Sequence, residues 1–324
     1  MKHFFLIVAA MTLFTLLACD ETTGTSTGSI QFYVEPEWTI VNGIPAGDAE
    51  EEINDGWAVT YDKFVVCIGN IHMSHDTLET KSSTLKAGDL FTMNETFVID
   101  LKNAPTSGLL VAEFNDVPTG DWESVGYSLP MAQSSSVKLG NVTDDDYHEM
   151  IDNGLAVSTI MTLTKTGGQV CPYLVEAENP ADPARPCTPM EQIRFQWQLP
   201  YGSTADGCGT PTQVGVNIPK GGTTQVKLTI HSDHHFFNAL RHTDITRLAQ
   251  PLIDADLNLD GEVTLEELAQ VPITVLDTTV YDLSTFPSDL ETLRDYIRWT
   301  TITFPHFQGD GGCPIRTALD ETAK

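Results

Sequence analysis

The chain has 324 residues, with 17 Lys plus Arg against 45 Asp plus Glu and a formal net charge of −28. So large an acidic excess argues against nucleic acid and anionic lipid headgroups as partners, and it suits a secreted chain that binds cations or simply stays soluble. The length admits one large domain with additions, or two domains.

In chain order, the first segment sets the address. Lys2 gives a short basic start, and Phe4 to Leu17 is almost wholly apolar, about the length of a signal-peptide core and too short for a spanning helix. It ends in Leu16-Leu17-Ala18-Cys19. This ending resembles the lipobox of bacterial lipoproteins, in which the cysteine is lipidated and becomes the new N-terminus. The resemblance implies a signal peptide over 1–18 and a lipid anchor on Cys19. It also implies an extracytoplasmic address, in the periplasm or at the outer membrane or cell surface, with the membrane as partner through the anchor. Residues 19–29 then read as a flexible tether, because "DETTGTSTGS" is small and polar.

From Ile30 to about Ile230 the chain is a series of short β-type runs between Gly, Pro, Asn and Asp. They are "SIQFYV", "WAVTYDKFVVCIG", "TFVIDL", "GLLVAEF", "SVGYSLP", "AVSTIMTLTK", "IRFQWQLP" and "TTQVKLTIH". Several alternate apolar and polar residues, as half-buried antiparallel strands do. Many short strands with frequent turns predict a mainly β fold, an antiparallel β-sandwich over 30–235. The acidic run "DDDY" at Asp144 to Tyr147 reads as a loop. Trp38, Trp57, Trp122 and Trp197 lie in strand-like runs and read as core or rim.

With Cys19 assigned to lipidation, Cys67, Cys171, Cys187, Cys208 and Cys313 remain. Cys67, inside "FVVCIG", reads as a buried thiol. Cys171 and Cys187 flank a Pro-rich segment that a bridge would close. Cys208 and Cys313 both lie in Gly-rich loops and form a plausible second pair. Spacing alone does not settle the pairing.

After Ile230 the character changes, and residues 236–324 read as a helical part packed on the sandwich. "FFNALRHTDITRLAQPLIDA" places Ile245, Leu248 and Leu252 at helical spacing, with Pro251 breaking that helix before its end. A short helix starts at Leu265, and a last helix is predicted from Ser288, where Ser288 and Glu291 fit a capping box. Leu290, Leu293 and Ile297 form its expected buried face.

Between these helices lies "DADLNLDGEVTLEE". Counted from Asp256, oxygen donors fall at Asp256, Asn258 and Asp260, positions one, three and five. Gly261 takes the sharp turn at six, Glu262 offers its carbonyl at seven, Thr264 stands at nine and Glu267 at twelve. The pattern resembles the EF-hand calcium loop over its twelve residues. It implies Ca²⁺ within an EF-hand-like helix-loop-helix. The interrupted incoming helix and the lack of a second loop favour a structural clip over a switch.

A second constellation is rich in histidine. "TIHSDHHFFNALRH" carries His231, Asp233, His234, His235 and His242; "NIHMSH" adds His72 and His75, and "FPHFQGDGGC" adds His306 and Asp310. Imidazole with carboxylate is a usual donor set for copper or zinc. His231, Asp233, His234 and His306 are the candidate ligands, with surface loop histidines as the alternative. The run "IRFQWQLPYG" resembles the tryptophan-containing strand of methanobactin-associated copper lipoproteins, whose four-cysteine pattern this chain does not match.

No nucleophile elbow, P-loop, dinucleotide fingerprint or haem-attachment motif is present, and a non-enzymatic role is the expectation. The first reading is a lipid-anchored binding or structural protein with a structural calcium site, whose partner is an unspecified protein or small molecule. The second is a transition-metal-binding lipoprotein using the His/Asp cluster. The third, a surface polysaccharide hydrolase, has only acidic composition behind it.

Overall fold

The computed structural model describes residues 26–75, 90–240 and 244–319. Cys19, the signal segment and His242 lie outside them. In chain order the strands are β1 Thr27–Pro36, β2 Ala58–Ser74, β3 Leu90–Asp100, β4 Leu109–Pro118, β5 Gly120–Trp122, β6 Ser124–Leu129, β7 Val137–Leu139, β8 Val157–Thr164, β9 Gln169–Val170, β10 Thr188–Pro189, β11 Gln192–Leu199, β12 Gly202–Ala205, β13 Gly209–Thr210, β14 Gln213–Val214, β15 Val216–Ile218, β16 Thr223–Ile230, β17 Glu262–Val263, β18 Pro305–Phe307, β19 Gly311–Gly312 and β20 Ile315–Leu319. The helices are α1 Trp38–Asn42, α2 Asp144–Asp152, α3 Gln250–Ile253, α4 Leu265–Leu268 and α5 Leu293–Ile302.

The fold is mainly β, and all eight predicted runs lie on strands. Alternation explains them. In β11, Ile193, Phe195, Trp197 and Leu199 are buried while Gln192, Arg194, Gln196 and Gln198 are exposed, so one face packs and the other meets water. A seven-stranded sheet runs β14-β13-β19-β18-β16-β1-β4, and a nine-stranded sheet runs β17-β11-β8-β2-β6-β12-β20 with β3 and β7 added beside β2. Ile30, Phe32, Val34 and Leu228 of the first sheet share one core with Tyr61, Phe64, Met161 and Trp197 of the second. β1 sits between β4 and β16 and pairs in parallel with β16, from Ser29↔Thr223 to Pro36↔Ile230.

β2 is buried on both faces from Phe64 to Gly69. Val65 and Cys67 turn away from the main core and join Val98, Val142, Met150 and Leu155 in a second cluster. Cys67 is the free cysteine there. Burial pushes its thiol up to about 12, so it stays an unreactive thiol. Cys171 bonds Cys187, 16 residues away in sequence, and Cys208 bonds Cys313, 105 residues away. Two disulfides fit an oxidising, extracytoplasmic compartment. Among the described residues no helix is long and apolar enough to cross a membrane.

Several local expectations need correction. β1 begins at Thr27, so the last residues of the expected tether belong to a strand. The acidic run is not a loop: Asp144, Asp145 and Asp146 form the first turn of α2, and the Thr143 side chain accepts a hydrogen bond from Asp146 N. Carboxylates suit that turn because the helix N-terminus carries partial positive charge. The helix expected before Asp254 shrinks to α3, whose first turn holds Pro251. Proline lacks an N–H and is tolerated there, so it opens this helix instead of breaking it. The cap of α5 lies four residues later than expected, with Thr292 and Asp295 as its capping box. Leu293 and Ile297 face inward as expected, and Leu290 is partly buried.

The C-terminal part carries the helices α3, α4 and α5, as expected, and also strands of both sheets. β18 and β19 complete the seven-stranded sheet, and β17 and β20 form the two ends of the nine-stranded path. Of the tryptophans, Trp57, Trp122 and Trp197 are fully buried and Trp38 is exposed.

Candidate metal centre

β16 delivers its last residue, Ile230, to the rim of the seven-stranded sheet. The chain then leaves through His231 into a 3-10 turn, Asp233–Phe236, whose four residues are all buried. β18 pairs antiparallel with β16, setting His306 opposite Thr229. Pro305 and Phe307 point into the core, so His306 between them stays half-buried. The β18–β19 turn is tight: Gln308 and Gly309 have φ of 54° and 88°, the region that favours glycine.

These elements bring His231, His234 and His306 together, with one ring nitrogen from each within 4.8 Å of the others. His231 stacks on His306 at 3.8 Å between centroids, and His234 meets His306 edge-on at 5.0 Å. Hydrogen bonds assign the tautomers of two rings. Thr303 Oγ1 donates to Thr300 O, so it accepts from His234 Nδ1 at 2.8 Å. His306 Nδ1 donates to Phe304 O at 3.3 Å. Both rings therefore carry the proton on Nδ1 and a lone pair on Nε2. Burial, with His306, His231 and Arg247 nearby, holds His234 well below its ordinary pKa. It is a neutral imidazole near pH 7, the form that binds a metal.

Asp233, the fourth expected ligand, does not join the three histidines. Its Oδ2 accepts from Arg247 Nε at 2.7 Å and Nη2 at 2.6 Å. Its Oδ1 is buried with no hydrogen-bond partner. Asp233 groups instead with Glu37 and His231, again with ligand atoms within 4.8 Å. Glu37 precedes α1, and its Oε2 accepts from Thr39 Oγ1 at 2.6 Å and Ser232 N at 3.2 Å. Burial first, and then the Asp233 charge, push the Glu37 carboxyl well above the usual range. Glu37 was not legible as a site residue. It lies in a distant segment and carries no local motif.

The other histidines go elsewhere. His72 Nε2 lies 3.3 Å from Asp206 Oδ1, and His75 stacks on Trp122 at 3.9 Å. His235 is buried behind the cluster, where burial drops its pKa to about 3. Its edge meets Trp197 at 5.2 Å. Asp310 is exposed, with Oδ1 3.9 Å from His231 Nε2.

The acidic loop lies at the edge of the nine-stranded sheet. Asp256 accepts from Asp260 N at 3.2 Å and Gly261 N at 3.0 Å, and Leu259 and Gly261 adopt φ of 60° and 86°. Asn258 Oδ1 accepts from Asp260 N and Asp260 Oδ1 from Glu262 N, at 2.8 and 2.9 Å. Glu267 closes the loop: Oε1 accepts from Leu257 N at 3.1 Å, and Oε2 accepts from Thr264 N and Thr264 Oγ1 at 2.9 Å. Burial, and then the Glu267 and Asp260 charges, raise the Asp256 pKa. The flanking helices, α3 and α4, are single turns. β17 pairs in parallel with β11, Arg194↔Glu262 and Phe195↔Val263, and Trp197 Nε1 donates to Val263 O at 2.9 Å. The loop is thus stitched to the sheet where a paired hand would contact a second loop. Among the described residues, the groups of three His, Cys, Asp or Glu with converging ligand atoms are the two that share His231; the loop carboxylates do not form one.

No family model, curated protein or solved structure matches the chain.

Proposed function

We propose that the protein is an extracytoplasmic metal-binding protein holding a transition-metal ion, zinc or copper, at His231, His234 and His306. One observation carries this reading: three imidazoles, from the residue after β16, from a 3-10 turn and from the middle of β18, converge within 4.8 Å. Two of them are preset with Nε2 lone pairs by Thr303 and Phe304. Imidazole suits both ions. The test is a titration of the purified mature chain with zinc, with calcium in excess to occupy the acidic loop. Wild type takes up a tightly bound ion. His234→Ala weakens that binding by more than about 100-fold, since even outer-shell losses cost about 10–100-fold. Equal uptake by both proteins removes the cluster from the account.

The lipobox reading of Cys19 supplies the anchor in this proposal. Several acyl chains hold a protein stably where one is marginal. Mature protein then partitions with membranes, and Cys19→Ala releases or misprocesses it. An unlipidated N-terminus by mass spectrometry ends that part.

A second reading is compatible with the first: the acidic loop is a structural calcium clip. It is favoured by the order of oxygen donors from Asp256 to Glu267 and by the pairing of β17 with β11, which gives the loop a fixed frame.

A further inference from the structure

We propose that Glu37, His231 and Asp233 form a second cation position, separate from the three-histidine position and sharing only His231 with it, for a hard divalent ion of the Mn²⁺ class. This goes beyond the histidine centre. It uses neither His234 nor His306 and stands whether or not they hold an ion.

Strand pairing builds the position. β1 and β16 run in parallel and end in register at Pro36↔Ile230. Glu37 and His231 are the next residue of each strand's chain, so they leave the sheet side by side. Asp233 comes two residues later, as the first residue of the 3-10 turn. One ligand atom from each of the three lies within 4.8 Å of the others, and His231 Nδ1 stands 3.4 Å from Glu37 Oε1. Each carboxylate has one oxygen committed and one left over. Glu37 Oε2 accepts from Thr39 Oγ1 and Ser232 N, which leaves Oε1. Asp233 Oδ2 accepts both bonds from Arg247, which leaves Oδ1.

An independent observation points to an occupant. Asp233 is 1 % exposed, and its Oδ1 is buried with no hydrogen-bond partner. A buried carboxylate oxygen left unmet is costly, and a cation meets it. Ser232 Oγ, in the same turn, is buried and unpartnered as well. Arg247 brings positive charge to Asp233, whereas Glu37 is held by the neutral donors of Thr39 and Ser232. Two carboxylates with one imidazole make a harder donor set than three imidazoles. Carboxylates suit Mn²⁺, and imidazoles suit zinc and copper. Calcium calls for six to eight oxygens and is poorly served here.

The test is a titration of the purified mature chain with Mn²⁺, followed by electron paramagnetic resonance, with calcium in excess to occupy the acidic loop. Wild type is compared with Asp233→Asn, Glu37→Gln, His306→Ala and His234→Ala. Asparagine keeps an oxygen for Arg247 and sets a non-ligating amide nitrogen in place of Oδ1. Wild type is expected to bind one Mn²⁺, and His306→Ala and His234→Ala to hold it within about threefold. Asp233→Asn and Glu37→Gln each weaken it by more than about tenfold. Zinc uptake at the histidines is the control for folding: a carboxylate variant that keeps it has lost manganese locally, and if one variant misfolds the other decides. Absence of Mn²⁺ binding to wild type that still takes up zinc overturns the second position and leaves the histidine reading standing. Mn²⁺ lost in both histidine variants places the ion at the histidines and overturns it, as does Mn²⁺ retained in both Asp233→Asn and Glu37→Gln. The expected manganese pattern in a chain that takes up no zinc supports this position and removes the histidine centre instead.

Discussion

Replacing Cys208 and Cys313 by serine lowers stability by about 4.7 kcal/mol, the loop-closure entropy of a roughly 100-residue ring. The bridge spans 105 residues in sequence. The Cys171–Cys187 bridge spans 16, and its loss costs about 3 kcal/mol by the same reasoning. Denaturant unfolding of the two double-serine variants measures both. At ~2–4 °C per kcal/mol, the larger loss moves the melting temperature by roughly 10–20 °C. Position adds to entropy here. Cys313 directly follows β19, the partner strand of β18, which carries His306. Opening this bridge frees the hairpin end and loosens the histidine cluster, so zinc affinity falls in the Cys208/Cys313 variant and holds in the Cys171/Cys187 variant. A shorter ring that proves the costlier to lose would sink the entropic account.

Calcium at a hundredfold excess over its Kd raises stability by about 2.7 kcal/mol, the value of RT ln(1 + [Ca]/Kd) for binding to the folded state alone. At ~2–4 °C per kcal/mol this moves the melting temperature by roughly 5–10 °C. Glu267→Gln erases most of the shift by removing a carboxylate charge. Glutamine still serves a capping box, so the Thr264 cap of α4 survives and the loss reports the ion. Hydrogen exchange locates the effect. Chelation loosens residues 254–268 and, through the β17–β11 pairing, Arg194 and Phe195 of β11. Indifference of melting and exchange to both calcium and Glu267→Gln would mean that the loop is an acidic turn held by its own hydrogen bonds.

The strands were legible because burial of one face imposes a period of two, and that period is written locally in β1, β11 and β16. The cap of α5 was misplaced because Ser288 and Glu291 have the same spacing and chemistry as Thr292 and Asp295; the choice between them is made by how α5 packs. The helix expected around Leu248 failed because its apolar spacing serves irregular chain packed on the core. Phe237 pairs with Arg247 by an isolated antiparallel bridge instead. At the site, His231 and His234 are close in sequence and were readable as a pair, and His306 was a distant candidate that strand pairing brings in. Glu37 had no such signal. It enters because β1 and β16 run side by side in the same direction and end together.

That parallel pairing also sets a clock. Thr223, the β16 partner of Ser29 in β1, follows it by 194 residues. At 5–20 residues per second, β1 waits roughly 10–40 s for its neighbour. During that interval Ile30, Phe32 and Val34, all fully buried in the finished protein, have no sheet to enter on the β16 side. Parallel, long-separation pairing is slow and leaves strand edges open to other chains. The growing polypeptide is therefore vulnerable to aggregation along the open edge of β1, and it depends on shielding there until β16 has been made.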